Sequence, residues 1–130
     1  MYSKIIGTGG YLPKKILTNK DLESIVDTTD EWILERTGIK QRRIASEEEN
    51  TSDLGAKAGQ TAIDRADLKN EDIDLIICAT ISPDYMCMPS TACLISEKLG
   101  IKDVMALDIS AACTGFIYAL SVAKAFIESG

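Results

Sequence analysis

Histidine is absent from the 130 residues. A Cys–His or Ser–His nucleophile pair therefore cannot be assembled from this chain alone, nor can a mixed Cys/His zinc site. Aromatic residues are few, and the single tryptophan stands at position 32. No apolar run approaches the ~20 residues that a membrane-spanning helix needs. Basic residues are outnumbered, 14 Lys and Arg against 20 Asp and Glu, for a net charge of −6. That balance lacks the basic footprint of a nucleic-acid binder and disfavours anionic membrane surfaces. The opening "MYSKIIGTGGYLP" has neither the charged start nor the long apolar core of a secretory signal. The expectation is a cytoplasmic chain with no nucleic-acid and no membrane partner.

Cysteine is present at positions 78, 87, 93 and 113, but no two are spaced as in a zinc knuckle. Without an export signal, free thiols are expected rather than a disulfide framework. The acidic run "SEEEN" at 46–50 reads as a solvated loop. Its adjacent carboxylates cannot converge on a cation without other ligands, so no metal site is expected.

The length suits one domain with a real core. Residues 4–7 read as a short strand, broken by "GTGGYLP". Asn19 can cap a short helix, "KDLESIV". Thr28 can start a second helix, with Glu31 at capping-box spacing and Gly38 at its end. "IKQRRIA" reads as a strand. In the next helix Leu54, Ala58 and Ala62 share a face. "LKNEDID" connects it to "LIICAT", an apolar run suited to a strand covered on both faces. After the loop "SPDYMCMPS", Ser90 can cap a helix closed by Gly100, with Ala92, Ile95 and Leu99 on one face. "VMALDIS" is another strand. A last helix from Thr114 puts Phe116, Leu120, Ala123 and Ile127 together. Strands alternating with helices imply an α/β fold: a mostly parallel sheet with helices on both faces.

Cys113 sits in "AACTG", where "VMALDIS" gives way to the last helix. Small neighbours permit a sharp strand-to-helix turn with the side chain at its apex. The positive end of the following helix would favour a thiolate, and its free amides could hold an oxyanion. The competing reading is a small apolar residue at a packed junction. In "TTDEWILERTG", Trp32 and Arg36 stand at i, i+4 and share a helix face. An indole beside a guanidinium suits a nucleotide's base and phosphate; equally, Trp32 could be core, covered by Arg36. "GTGG" is half a phosphate loop, but Pro13 blocks the helix that such a loop needs, so its glycines are expected to form a turn. Cys78 and Cys93 read as packing residues. Cys87 lies between Met86 and Met88, which could line a pocket or a partner surface.

Taken in order, "GTGGYLP", "TTDEWILERTGIKQRRIA", "DLIICATISPD", "MPSTAC" and "LDISAACTGFIYAL" resemble the N-terminal part of the beta-ketoacyl-acyl-carrier-protein synthase III family. The resemblance implies a thiolase-like fold of two similar α/β halves, with residues 1–130 as the first half. It implies that Cys113 accepts an acetyl group from acetyl-CoA, and that malonyl-acyl-carrier protein then condenses on the acyl-enzyme as CO2 leaves. It casts Thr28, Trp32, Arg36 and Thr37 as coenzyme A contacts. It makes the protein a homodimer in which the Met88 segment reaches a partner's acyl pocket. No cofactor is implied beyond acetyl-CoA as substrate. The family's histidine and asparagine belong to the second half, so 130 residues alone are expected to condense nothing. Two alternatives remain open here. A sister enzyme, such as a 3-hydroxy-3-methylglutaryl-CoA synthase, would share Cys113 but differ in "DEWILERTG". A noncatalytic α/β module would bind a partner through its exposed half-sheet.

Overall fold

The computed structural model describes residues 2–130 and divides into two compact units. One unit is Leu12–Glu49. Strands β1 (Lys15–Thr18) and β2 (Gln41–Ile44) pair antiparallel, with Leu17 opposite Arg42. Helices α1 (Asn19–Glu23) and α2 (Asp30–Thr37) lie between them in the chain. The cap of α1 is Thr18, one residue before the expected Asn19. Its hydroxyl accepts from the Asp21 amide, and Asp21 returns the bond to the Thr18 amide. The Thr18 hydroxyl and amide hold the Asp21 carboxyl below the usual carboxylate range. Asn19 is instead inside the helix and almost completely buried.

Helix α2, by contrast, starts one residue later than expected. Thr29, not Thr28, is the N-cap, accepting from the Trp32 amide, so Glu31 cannot close a box. Two adjacent threonines offer the same cap chemistry. The extended backbone of Thr29 (φ −133°, ψ 159°) places its hydroxyl against the Trp32 amide. Gly38 ends α2 in the left-handed conformation, φ 69°, as glycine allows.

The other unit joins the segment up to Tyr11 with Asn50–Gly130. It carries α3 (Thr51–Arg65), β3 (Leu75–Ala79), α4 (Thr91–Leu99), β4 (Met105–Ile109) and α5 (Gly115–Ser129). β3 and β4 pair in parallel, Cys78 beside Asp108. Side chains alternate across a strand. Leu75, Ile77 and Ala79 therefore point one way, toward α5, with which they line a common cleft. Cys78 and Asp108 point the other way, where Asp108 bonds the start of α4. The two strands are thus covered by a helix on each face. All of β3 is only half-buried, because its sole ladder partner among the described residues is β4.

α3 packs against α4 through small residues. A Cβ on Gly55 would come within 2.6 Å of the Ile95 side chain, and Ala56 and Ile63 of α3 and Ala92 and Ile95 of α4 are buried. Lys98 on α4 bridges to Asp53 on α3; that bond, then the Asn50 amide, keeps the Asp53 carboxyl low. Ser90 and Gly100 close α4 as expected. Cys93, expected in the packing, is exposed. The buried stripe of α4 runs through Ala92, Ile95 and Ser96, and one residue on from Ala92 turns the side chain outward.

Residues 4–7 form no strand. A strand is defined by its ladder, and no described residue pairs with this segment. It lies along α3 instead. A Cβ on Gly7 or Gly9 would overlap the carbonyl oxygen of Ala62 or Ala58, and the Arg65 guanidinium donates to Thr8 O. These two glycines exist for close approach. No turn forms at residues 7–10, which corrects that expectation. Gly9→Ala is expected to lose about 1–3 kcal/mol by overpacking. Gly10→Ala, with open space at its Cβ, should stay within about 0.5 kcal/mol of the parent. Urea unfolding of the pair measures both.

Candidate active site

β4 ends at Ile109 and the chain reverses through 110–114 into α5. The Ala111 amide donates to Ile109 O at 3.0 Å and the Gly115 amide to Ala112 O at 2.9 Å, which closes the bend. Gly115 is buried, and a Cβ there would sit 3.1 Å from the Ala79 Cβ. Its lack of a side chain lets the first turn of α5 rest on the end of β3. Cys113 stands at this bend with its side chain exposed. The packed-junction reading therefore does not describe it.

α5 starts just beyond the thiol. Its first amides have no partners inside the helix, and the N-cap Thr114 makes no side-chain cap bond to them. The helix's positive end, about half an elementary charge, is thus beside Cys113. Cys113 lies on an apolar cleft of about 680 Å³ between α5 and β3. Phe116, Leu120, Ala123 and Ile127, the helix face expected from spacing, line it opposite Leu75 and Ile77. An exposed sulfur, a helix end and an apolar wall together suit acyl transfer to the thiol.

Two aspartates that carry much of this geometry were not singled out from the sequence. Asp108 accepts from the Thr91 and Ala92 amides at 2.7 and 2.8 Å, docking α4 onto β4. Asp84 accepts from the Ser52 amide at 2.9 Å and from its hydroxyl at 2.5 Å, capping α3 from the 80–90 loop. The available signal was a carboxylate inside the apolar run "VMALDIS": a part-buried charge needs partners. Burial pushes the Cys78 thiol up to about 11, and the carboxylates of Asp108 and Asp84 add to the rise.

The second candidate group lies on α2. Trp32 is 53% exposed, with the Arg36 guanidinium 4.8 Å from its ring centroid. The core of that helix is Ile33, so the tryptophan forms a flat outer platform rather than a core residue. The other two predicted contacts flank the platform. Thr37, the last residue of α2, donates its hydroxyl to Ile33 O at 2.7 Å and accepts from the Ile39 amide at 3.1 Å. The Thr28 hydroxyl is buried and has no hydrogen-bond partner among the described residues. Thr28, Trp32, Arg36 and Thr37 thus belong to one helix and its approach, within the Leu12–Glu49 unit. Cys113 and Met88 belong to the other unit. Met88 is 78% exposed, in a loop that also exposes Ile81, Tyr85 and Met86.

With this geometry established, known proteins give a consistent match. A family model described as 3-oxoacyl-acyl-carrier-protein (ACP) synthase III matches residues 107–130, the stretch holding Cys113 and α5. The beta-ketoacyl-acyl-carrier-protein synthase III of Aliarcobacter butzleri is 64% identical over 130 residues, covering 100% of this chain and 39% of its own. The enzyme of the same name from Campylobacter jejuni is 68% identical over 120 residues, covering 92% of this chain and 37% of its own. The crystal structure of 3-oxoacyl-acyl-carrier-protein synthase III from Aquifex aeolicus superposes with a TM-score of 0.93 at 58% identity. That match covers 98% of this chain and 41% of the other.

The fold is that of the thiolase-like α/β condensing enzymes. Within that class, the chain belongs to the beta-ketoacyl-acyl-carrier-protein synthase III family. It spans about two-fifths of the length of the curated relatives it matches, 39% of the Aliarcobacter protein.

The thiols give a direct readout of the site. With iodoacetamide near neutral pH, Cys113 is expected to be alkylated ahead of the other exposed cysteines, Cys87 and Cys93, because of the helix end beside it. Cys78 should resist until the pH approaches about 11. Peptide mapping by mass spectrometry across a pH series checks the order.

Proposed function

We propose that these residues form the nucleophile half of an initiating condensing enzyme of bacterial fatty-acid synthesis. The observation that carries this reading is the exposed Cys113, at the end of β4, on an apolar cleft and at the positive start of α5. The likeness to the synthase III relatives supports it.

On this reading the Cys113 thiolate attacks the thioester carbonyl of acetyl-CoA. A carbon–sulfur bond forms to Cys113, and the electron pair passes transiently to the carbonyl oxygen. Amides at the bend and the start of α5 are suited to stabilise that oxyanion. The tetrahedral intermediate collapses and expels coenzyme A as its thiolate. The acyl-enzyme is then attacked by the carbanion that malonyl-acyl-carrier protein forms when it loses CO2. Acetoacetyl-acyl-carrier protein leaves, and the Cys113 thiolate is regenerated.

Trp32 would stack on the adenine of coenzyme A and Arg36 would pair with a phosphate, with Thr28 and Thr37 contributing near them. The Thr37 hydroxyl already donates within α2, so it would meet the ligand as an acceptor or by contact. The buried Thr28 hydroxyl would need its segment to shift before reaching a ligand. The exposed Met88 loop would serve a homodimer contact and the acyl pocket. Groups that hold the malonyl thioester must come from other residues, since the chain has no histidine. The reaction would take place in the cytoplasm and need no cofactor.

A polypeptide of the relatives' full length that includes these residues should form acetoacetyl-acyl-carrier protein from acetyl-CoA and malonyl-acyl-carrier protein. Cys113→Ala is expected to reduce the rate at least about 10³-fold, as loss of a covalent nucleophile does. The 130 residues alone should yield no product above the Cys113→Ala control. Undiminished condensation by Cys113→Ala in the full-length enzyme would rule the reading out.

A further inference from the structure

We propose that Asn19 is the positioning residue of the coenzyme A platform: one buried amide grips both ends of α2 and so sets the direction in which Trp32 and Arg36 face. This rests on the reading of α2 as the coenzyme A site. The residue is 1% exposed, among the most buried side chains of the chain.

Its bonds converge on α2 from both sides. The Asn19 Nδ2 donates to Asp30 Oδ1 at 2.7 Å, at the first residue of the helix. The same nitrogen donates to Ile39 O at 2.7 Å, just past the Gly38 cap. The backbone amide of Asn19 donates to Lys40 O at 3.3 Å. Its Oδ1 accepts from the Arg42 Nη1 at 2.8 Å, tying the same point to β2. The Asp30 amide is held separately by the Glu23 carboxylate at 2.8 Å. Every polar atom of the Asn19 side chain is therefore used.

No other residue type reproduces this set. Asparagine supplies two donors and one acceptor on one short side chain. Aspartate would place a second carboxylate against Asp30 and offer Ile39 O nothing. Alanine would leave the Asp30 carboxylate, the Ile39 carbonyl and the Arg42 guanidinium short of a partner in a part-buried place.

The helix needs such a grip. It has eight residues, too few to be stable by itself in water. Its only buried apolar side chain is Ile33. A single anchor of that kind lets a short helix pivot, whereas fixed points at each end do not. A platform that must present an indole and a guanidinium together depends on that orientation.

The sole tryptophan is Trp32, so its emission reports on the platform directly. The test is a titration of the whole chain with coenzyme A, followed by Trp32 fluorescence, for the parent, Asn19→Ala, and the exchange variant Asn19→Asp with Asp30→Asn. The alkylation rate of Cys113, in the other unit, is measured beside it. The parent should show saturable quenching. Asn19→Ala should weaken binding about tenfold, as expected if only about a tenth of molecules hold the platform correctly. Its Cys113 rate should be unchanged. The exchange variant restores the 19–30 hydrogen bond with donor and acceptor reversed and keeps an acceptor for Arg42, so it should regain part of the affinity.

Parental affinity and emission in Asn19→Ala would overturn the proposal. So would loss of binding together with an altered Cys113 rate and no recovery in the exchange variant, which would mark Asn19 as a general stabiliser. A parent chain that shows no saturable response removes the platform itself, and the proposal falls with it.

Discussion

The close approach of Gly115 to Ala79 is the constraint on which the candidate site depends. Glycine lets the first turn of α5 settle on the end of β3 without crowding, where a Cβ would stand a tight 3.1 Å from its neighbour. That seat places the helix's positive end beside the bend and turns Cys113 outward. It also brings the apolar face of α5 along β3, which makes the cleft. Thiol, dipole and apolar wall thus meet around one packing contact. A side chain at position 115 would press on Ala79 and crowd that seat.

The sheet beneath that contact is held by carboxylates that reach helix starts. Asp108 leaves β4 to bind two amides of α4, and Asp84 binds Ser52 at the start of α3. Both use the same physics as the proposed chemistry at Cys113: negative charge is stabilised where helix amides are free. Near Cys78 the same charges act the other way. A part-buried thiol beside two carboxylates is kept protonated, and its pKa is raised to about 11. Similar side chains therefore meet different electrostatic surroundings through placement alone. In the Leu12–Glu49 unit an uncharged amide, Asn19, does the corresponding work for α2.

Much of this was legible in the residues. The helices closed by Gly38 and Gly100, the cap at Ser90, the paired runs "LIICAT" and "VMALDIS", and the strand-to-helix bend at Cys113 all follow from local patterns. The α5 face through Phe116, Leu120, Ala123 and Ile127 followed from a 3.6-residue period. What local patterns could not settle were choices between equals and facts about partners. Thr28 and Thr29 have the same cap chemistry, and backbone geometry decided between them. Residues 4–7 have the apolar character of a strand, but a strand needs a neighbour, and here the neighbour is a helix. Asn19 had the composition of a cap and became a buried clamp, because its partners lie 11 to 23 positions away. The solvent-facing side of Trp32 also needed three dimensions, since a core indole covered by arginine has the same i, i+4 spacing.

The central claim is that the bend at Cys113 suffices for the first half-reaction. It is tested most directly by exposing the chain to acetyl-CoA and mapping thioester-linked acetyl groups over the four cysteines. The account predicts rapid acetylation at Cys113, well ahead of Cys87 and Cys93, with none at Cys78. Acetyl spread evenly over the three exposed thiols, or Cys113 left unmodified, would contradict it.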